Sequence, residues 1–374
     1  MDKQLNLWID DCLEKAVDKI KASVYRLGNK IPYIAYDGIY TDVVEERGID
    51  WWTNGFWSGI LWQAYHYTDE IIFFEKAKQQ ENRLMDALSN FRDVHHDVGF
   101  LFLPSAVAHY RKTKDEQSFY TGLHAANLLA GRFNIDGNYI VAWNDDKPGW
   151  MIIDSMMNLP LLYWASAVTG DPRFYKIAER HAETTARFLV RPNGTTGHIA
   201  CFDPENGSFI QYIAGQGYSA DSAWSRGHAW ALYGFILSYR HTQKTNDLLL
   251  AKELANSFIR FVKETEYIPK ADFLTPENEQ IFDTSAGLCA VCGLLELSNW
   301  VIKEEKEYYK SYAIKILQAI VSEYADWNTK SDGIIGGATE AYHRYLTQNV
   351  HVIYSDYFFF EALLRLKEKH LFIW

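Results

Sequence analysis

Two acidic residues stand where a hydrolytic reaction could use them. Asp97 lies in HHDVGF at the mouth of a helix expected near 98–112, and Asp154 lies in MIIDSMMNLP at the mouth of one expected near 154–168. A carboxyl at such a place has two readings. As an N-cap it accepts backbone N–H bonds, which lowers its pKa and leaves it inert. As half of a carboxylate pair it can carry a proton beside a charged partner, as glycosidic chemistry requires, and like-charge proximity among aromatic walls would push one pKa up. His95 and His96 directly precede Asp97; neighbours on regular structure point apart, so hydrogen bonding suits them better than a shared metal. Arg226 in AWSRGHAW and Gln216 in AGQGYSADS could meet a carboxylate or hydroxyls, Arg226 through its planar fork. The alternative for Arg226 is an ion pair with a neighbouring acid.

Aromatic residues crowd the same stretches: Trp52, Phe56, Trp143, Trp150, His198, Tyr218, Trp224, His228 and Trp230. Aromatic faces stack on the C–H faces of pyranose rings, and a pocket with a few polar groups among such faces can hold a sugar. The plainer alternative is that thirteen tryptophans fill a large helical core.

The elements that must position these side chains are helices. Apolar periodicity near 3.6 recurs over 5–27, 55–67, 71–91, 98–112, 115–131, 154–168, 171–190, 226–241, 246–264, 284–300, 305–324 and 356–368. Long connections are expected at 28–54, 132–153, 191–225, 265–283 and 325–355, with tight ones between. The tight ones repeat a chemistry, Thr68-Asp69, Thr113-Lys114-Asp115, Thr169-Gly170-Asp171-Pro172 and Thr245-Asn246-Asp247, in which Asp is expected to cap the following helix. Hairpins tight at one end and loose at the other gather the long loops on one face, where a site would be built. About six such hairpins can close as an (α/α)6 barrel or stay open as a solenoid. The terminal SDYFFFEALLRL, as aromatic as the middle rather than a polar cap, favours closure, so an all-α (α/α)6 barrel is expected, a single domain over residues 1–374.

Composition narrows the function. A net charge of −11, from 37 basic and 48 acidic residues, argues against nucleic acid, and an anionic substrate would need a few local contacts against the overall field. The apolar runs are too short and too often interrupted by charge for a membrane span. Cys289 and Cys292 form a CxxC inside AGLCAVCGLL, which reads as helix core rather than metal or redox site. The opening MDKQLNLWIDDCLEKAVDKI lacks the layout of a secretory signal, so a cytoplasmic location is expected.

WWTNGFWSGILW, HHDVGF, IIDSMMNLPLLYWAS, FDPENG, SRGHAWALYGF and DYFFFEALLRL, in this order, resemble the unsaturated glucuronyl hydrolases of glycoside hydrolase family 88, also called unsaturated chondroitin disaccharide hydrolases. The resemblance runs over essentially the whole chain. It implies an (α/α)6 barrel acting on small oligosaccharides left by polysaccharide lyases, with no metal or organic cofactor; no obligate protein partner is expected. It also implies that Asp97 and Asp154 are the catalytic carboxylates, Asp154 being general acid and base. Substrate contacts would fall on Trp52, His96, Trp143, His198, Gln216, Arg226 and Trp230. The chain departs from some relatives at Thr53-Asn54-Gly55-Phe56 and at Val350-His351. Two rivals stay open: the unsaturated rhamnogalacturonyl hydrolases, which differ in aglycone, and a non-catalytic helical-repeat binding protein. HHD and SRGHAW favour the glucuronyl group over the first, and two carboxylates at neighbouring helix mouths argue against the second.

Overall fold

Among the described residues, six long helices are buried through most of their length and six on one side only. This is a computed structural model of the chain, and it describes residues 3–89, 93–144, 147–276 and 278–374. The buried set is Asn54–Thr68, residues 98–113, Leu159–Thr169, Ser225–Thr242, Thr284–Leu297 and Ile353–Leu366. Their sequences are apolar on all sides, as AGLCAVCGLLEL illustrates, which suits a helix with no solvent face. The amphipathic set is Lys3–Leu27, Ile71–Leu84, Glu116–Ala130, Pro172–Phe188, Thr245–Lys263 and Lys303–Tyr324. Outer and inner helices alternate along the chain, and the inner six pack in sequence order around a ring.

The ring closes where Ile353–Leu366 meets Asn54–Thr68, with Phe56 5.2 Å from Tyr357 and 5.8 Å from Phe358 between ring centroids. This is the (α/α)6 barrel. Small residues set how closely its inner helices approach; a Cβ at Gly55 would lie 2.1 Å from the Phe100 carbonyl oxygen. The 98–113 helix carries a π turn at Leu103–Val107, beside Pro104, which has no N–H to donate.

The tight turns obey a common rule, though not the expected one. Thr68, Thr113 and Thr169 each donate to the carbonyl four residues back and accept the backbone N–H two residues on. The residue between, Asp69, Lys114 or Gly170, is left-handed. Asp115 and Asp171 cap the next helix as expected, but Asp69 does not. The fourth turn uses Thr242-Gln243-Lys244 rather than Thr245-Asn246-Asp247; Gln243 takes the left-handed conformation, and Asp247 falls inside the next helix, accepting from the Thr242 hydroxyl at 3.2 Å.

Every long connection leads into the N-terminus of an inner helix, so the long loops share one end of the barrel. They also pair as short antiparallel strands that the helical periodicity did not reveal. Ile39–Tyr40, Ile34–Tyr36 and His351–Val352 form one sheet, with Ala35 opposite His351. Trp150–Ile152, Ile199–Phe202 and Phe209–Ile213 form another, with Ile152 opposite Ile199. Residues Phe133–Asn134 and Tyr139–Ile140 form a hairpin. At the opposite end, residues 369–374 turn back into the ring. Gln63 holds the N–H and C=O of Leu371 at 2.8 Å each, Arg111 donates to the Phe372 carbonyl at 2.6 Å, and Trp374 is fully buried over Phe358. The CxxC lies in the core, its thiols pushed up by burial.

Candidate active site

The inner helices all point their N-termini at the loop end. Their partial positive charge favours an anion there, which offsets locally the repulsion of a chain of net charge −11. Asp97 occupies the N-cap position of Val98–Phe102, yet its side chain makes no capping bond. Asp154 lies in a 3-10 turn, Ile153–Met157, ahead of the Leu159–Thr169 helix, where Asn158 holds the cap position. Neither carboxylate therefore serves as a cap, which removes the inert reading of both.

Each carboxylate has a histidine at its side. His96 Nε2 lies 3.3 Å from Asp97 Oδ2, and His198 Nε2 lies 3.3 Å from Asp154 Oδ1, with the Asp side chains 16% and 13% exposed. The His198 contact is close but not aligned as a hydrogen bond, so Asp154 Oδ1 and His198 Nε2 have no hydrogen-bond partner among the described residues. His198 Nδ1 is 2.9 Å from the Gln216 N–H and 3.1 Å from the Ala214 carbonyl. If Nδ1 accepts from Gln216, the proton belongs on Nε2, facing Asp154. The strand pair Trp150–Ile152 and Ile199–Phe202 brings these two residues together, one just after the first strand and the other just before the second.

Asn158 joins the two halves. Its Oδ1 accepts the Phe100 N–H at 2.7 Å and its Nδ2 donates to the Asp154 carbonyl at 3.3 Å. Gly99 makes room for it, since a Cβ there would stand 2.4 Å from Asn158 Oδ1. His96 Nδ1 lies 3.0 Å from the Ser155 hydroxyl, a second tie between the segments. Burial pushes the Asp97 carboxyl well above the usual carboxylate range and the Asp154 charge adds to this, while Arg132 and the Asn158 amide pull it back. Burial, followed by the Arg132 charge, keeps His96 neutral at ordinary pH.

Aromatic rings wall the pair. Trp143 stands edge-on to His96 at 5.8 Å, Trp52 packs on Tyr354 at 4.9 Å and on Phe100 at 5.5 Å, and Trp224 lies 4.3 Å from the His198 ring. Two largely buried carboxyls, with the neutral His96 imidazole and tryptophan rings around them, can give a proton to a sugar and steady the cation that results.

The sequence profile of Glycosyl Hydrolase Family 88 matches residues 33–359. The chain belongs to that family. It is 35% identical over 351 residues to the unsaturated glucuronyl hydrolase of Bacillus sp. (strain GL1), covering 91% of this chain and 92% of the relative. It is 30% identical to the unsaturated chondroitin disaccharide hydrolase of Streptococcus agalactiae over 98% of this chain and 93% of that one. The solved glucuronyl hydrolase from Bacillus sp. GL1 superposes with a TM-score of 0.90 at 33% identity, covering 96% of this chain and 97% of its own. A Streptococcus agalactiae variant complexed with dGlcA-GalNAc6S superposes with a TM-score of 0.83 at 28% identity, covering 96% and 91%.

Within this member of Glycosyl Hydrolase Family 88, Asp97, Asp154, His96, Trp143, His198, Gln216 and Trp52 converge at the loop end. Two other expected contacts sit deeper. Trp230 is 1% exposed, packed between Phe100 and Phe358. Arg226 is 0% exposed and both Nη atoms of its fork are engaged by protein groups. Its Nη1 lies 2.5 Å from Asp283 Oδ2, 3.1 Å from Ser285 Oγ and 2.7 Å from the Thr339 carbonyl, and its Nη2 donates to the Glu340 carbonyl. This is the ion-pair alternative, and its cause is position: Arg226 lies in the first turn of a helix buried on all sides, so its charge must be paired. Gln216 Nε2 donates to the same Glu340 carbonyl at 2.7 Å, which ties Gln216 to Arg226.

Sequence reasoning missed Asn158, Arg132, Asp283 and Glu340. Asp283 carried a usable signal, an acid ending a long loop before an apolar helix like Asp97; the others carried none. Of the two departures, Asn54 Nδ2 donates to the Gly48 and Ile49 carbonyls, so its amide organises the loop before it. His351 pairs in the first sheet and packs against Gly333 and Gly336. Among the described residues no three His, Cys, Asp or Glu side chains converge as a metal site, and no helix is long and apolar enough to cross a membrane.

Proposed function

We propose that this chain removes the 4,5-unsaturated uronic acid from the non-reducing end of lyase-generated glycosaminoglycan oligosaccharides of the chondroitin, hyaluronan or heparin kind. The observation that carries the reading is the pair Asp97 and Asp154, each beside a histidine, neither capping a helix. The relatives' names agree, and their solved complexes hold dGlcA-headed sugars. We further read residues 1–374 as one catalytic domain without organic cofactor, working in the cytoplasm, where its four free cysteines would stay reduced.

The chemistry follows from the substrate's enol ether. Protonation of C4 by the Asp154 carboxyl leaves positive charge at C5, shared with the ring oxygen. Water adds at C5 and returns its proton to the ionised Asp154, so one residue serves as acid and then as base. The hemiketal at C5 opens to a ketone, the hemiacetal at C1 collapses, and the next sugar leaves as an alcohol. A 4-deoxy-5-keto uronate remains. No glycosyl-enzyme forms, so the carboxylate-separation rule of ordinary glycosidases does not bear on this site. Asp97 binds ring hydroxyls and steadies the cation. Trp52 and Trp143 stack on the sugar, His96, His198 and Gln216 hydrogen-bond to it, and Arg226 and Trp230 act from behind by holding the wall in place.

Turnover of an unsaturated chondroitin disaccharide in deuterated water tests this. The reading requires loss of the ultraviolet absorbance of the conjugated double bond and one deuterium at C4 of the released uronate. Release of the aglycone with the double bond intact would mean attack at C1 and overturn the reading.

A further inference from the structure

We infer that Arg132 is a positioning residue, the clamp that holds the Asp97 segment in place and the counter-charge that faces Asp97. The inference rests on the reading of Asp97 and Asp154 as the catalytic pair, and it concerns a side chain that touches neither.

Arg132 lies just past the end of the Glu116–Ala130 helix, at the base of the Phe133–Asn134 and Tyr139–Ile140 hairpin. Its Nε donates to the Val141 carbonyl at 2.8 Å, and its Nη1 donates to the Val94 carbonyl and to Asn144 Oδ1 at 3.0 Å each. One guanidinium therefore ties together the stretch that enters His96 and Asp97, the hairpin, and the stretch that carries Trp143. The same junction is reinforced by His96, whose N–H donates to the Ala142 carbonyl at 3.1 Å, and by the Val141 N–H, which donates to the Arg132 carbonyl at 2.9 Å.

The acceptors are carbonyl and amide oxygens, not carboxylates. Among the described residues no carboxylate pairs with this guanidinium, so its field falls on the nearest described anion, Asp97. Burial pulls the Arg132 guanidinium down to about 10, and the Asp97 charge pulls it back up; the effect of Arg132 on Asp97 is the reverse side of that attraction. The other titratable groups facing Asp97 and its neighbour are His95, His96, Asp154, His198 and, from the Pro172–Phe188 helix, His181. Burial keeps His96 and His181 neutral, so within this group Arg132 is the permanent cation.

The mechanism needs one proton on the pair. Two coupled carboxyls lose protons in two macroscopic steps, and a nearby cation lowers both. Removing that cation moves the one-proton window upward in pH. Arg132→Met removes charge and donors, whereas Arg132→Lys keeps the charge and loses the fork.

The test is the pH profile of kcat/KM on an unsaturated chondroitin disaccharide for wild type, Arg132→Lys and Arg132→Met, with Arg132→Gln standing in if the Met variant does not fold. Both limbs should move to higher pH by at least about half a unit in the neutral variant and by clearly less in Arg132→Lys. Limbs that coincide with wild type in a folded neutral variant would overturn the inference, whatever the rate, because a purely structural tie scales activity without moving its pH dependence. Asp154→Asn, assayed alongside, separates the two levels. If that variant is active, the underlying site assignment fails; if it is dead and the Arg132 limbs do not move, only the Arg132 inference fails.

Discussion

Asp154 Oδ1 and His198 Nε2 face each other at 3.3 Å, and neither has a hydrogen-bond partner among the described residues. Two buried polar atoms left in this way are costly to the fold and suited to a third group placed between them. Replacing the carboxyl by an amide keeps the shape and removes the transferable proton. Asp154→Asn should lower kcat by about 10²–10⁴ or more while leaving the circular-dichroism spectrum and disaccharide binding near wild type. A variant that keeps more than about a tenth of wild-type turnover would remove Asp154 from the acid's role.

Asp97 gives a prediction of opposite sign for stability and activity. Its carboxyl is raised in the fold by burial and by Asp154. A raised carboxyl contributes stability below its unfolded pKa and loses that contribution as pH climbs toward and through the folded value, so at neutral pH the acid side chain is a net cost. Asp97→Asn should therefore melt at a higher temperature than wild type at pH 7, with the difference vanishing near pH 4, while kcat/KM falls by about 10² or more. An Asn variant that is less stable at pH 7 would show that the Asp97 charge is held favourably, and would reverse the electrostatic account.

What could be read from the chain and what could not divides along range of interaction. Helices of a dozen residues carry their own period, so both the buried and the amphipathic sets were legible, as was the place of Asp97 at a helix mouth. The helix expected to open at Asp154 begins instead at Leu159, leaving Asp154 in the 3-10 turn ahead of it. The sheets were not, because strands such as His351–Val352 are too short to show an alternation and exist only through partners far off in sequence. The fourth tight turn failed for a local reason: Thr242 and Thr245 both precede polar residues, and only the left-handed backbone at Gln243 decides between them. Asn158 and Arg132 escaped because their roles depend on distances across the barrel. The helix expected over 71–91 ends at Leu84 and continues as a 3-10 turn, Met85–Ser89, with residues 90 and 91 outside the described range.

The floor of the barrel should be as sensitive as its mouth. Trp374 is fully buried, its indole N–H donates to Glu361 Oε2 at 2.9 Å, and its ring contacts Phe56 and Phe100, which also pack against Trp52. Trp374→Ala opens a large cavity and deprives a buried carboxylate of a donor. It should lower the free energy of unfolding by about 3–5 kcal/mol, read from the urea midpoint. Trp374→Phe keeps most of the volume and should lose clearly less. Equal losses for the two variants would mean that the hydrogen bond to Glu361, not the packing, is what matters at this position.

Arg226 carries the last prediction, because two functions meet in it. Its guanidinium satisfies Asp283, which in turn caps the Thr284–Leu297 helix through the Ser285 N–H at 3.1 Å, and it shares the Glu340 carbonyl with Gln216. A lysine keeps the charge but cannot reach Asp283 and the Thr339 and Glu340 carbonyls together. Arg226→Lys should then cost about 1–3 kcal/mol of stability and, by loosening the loop that anchors Gln216, raise KM by about threefold or more with a smaller change in kcat. Arg226→Ala leaves Asp283 buried and unpaired and should cost about 3–5 kcal/mol. Melting temperature and KM measured on the same Lys variant separate the possibilities. A lowered melting temperature with unchanged KM makes the residue a structural ion pair alone. An unchanged melting temperature with a tenfold loss of kcat/KM, about 1.4 kcal/mol, would put the guanidinium on the substrate itself and overturn the positioning account.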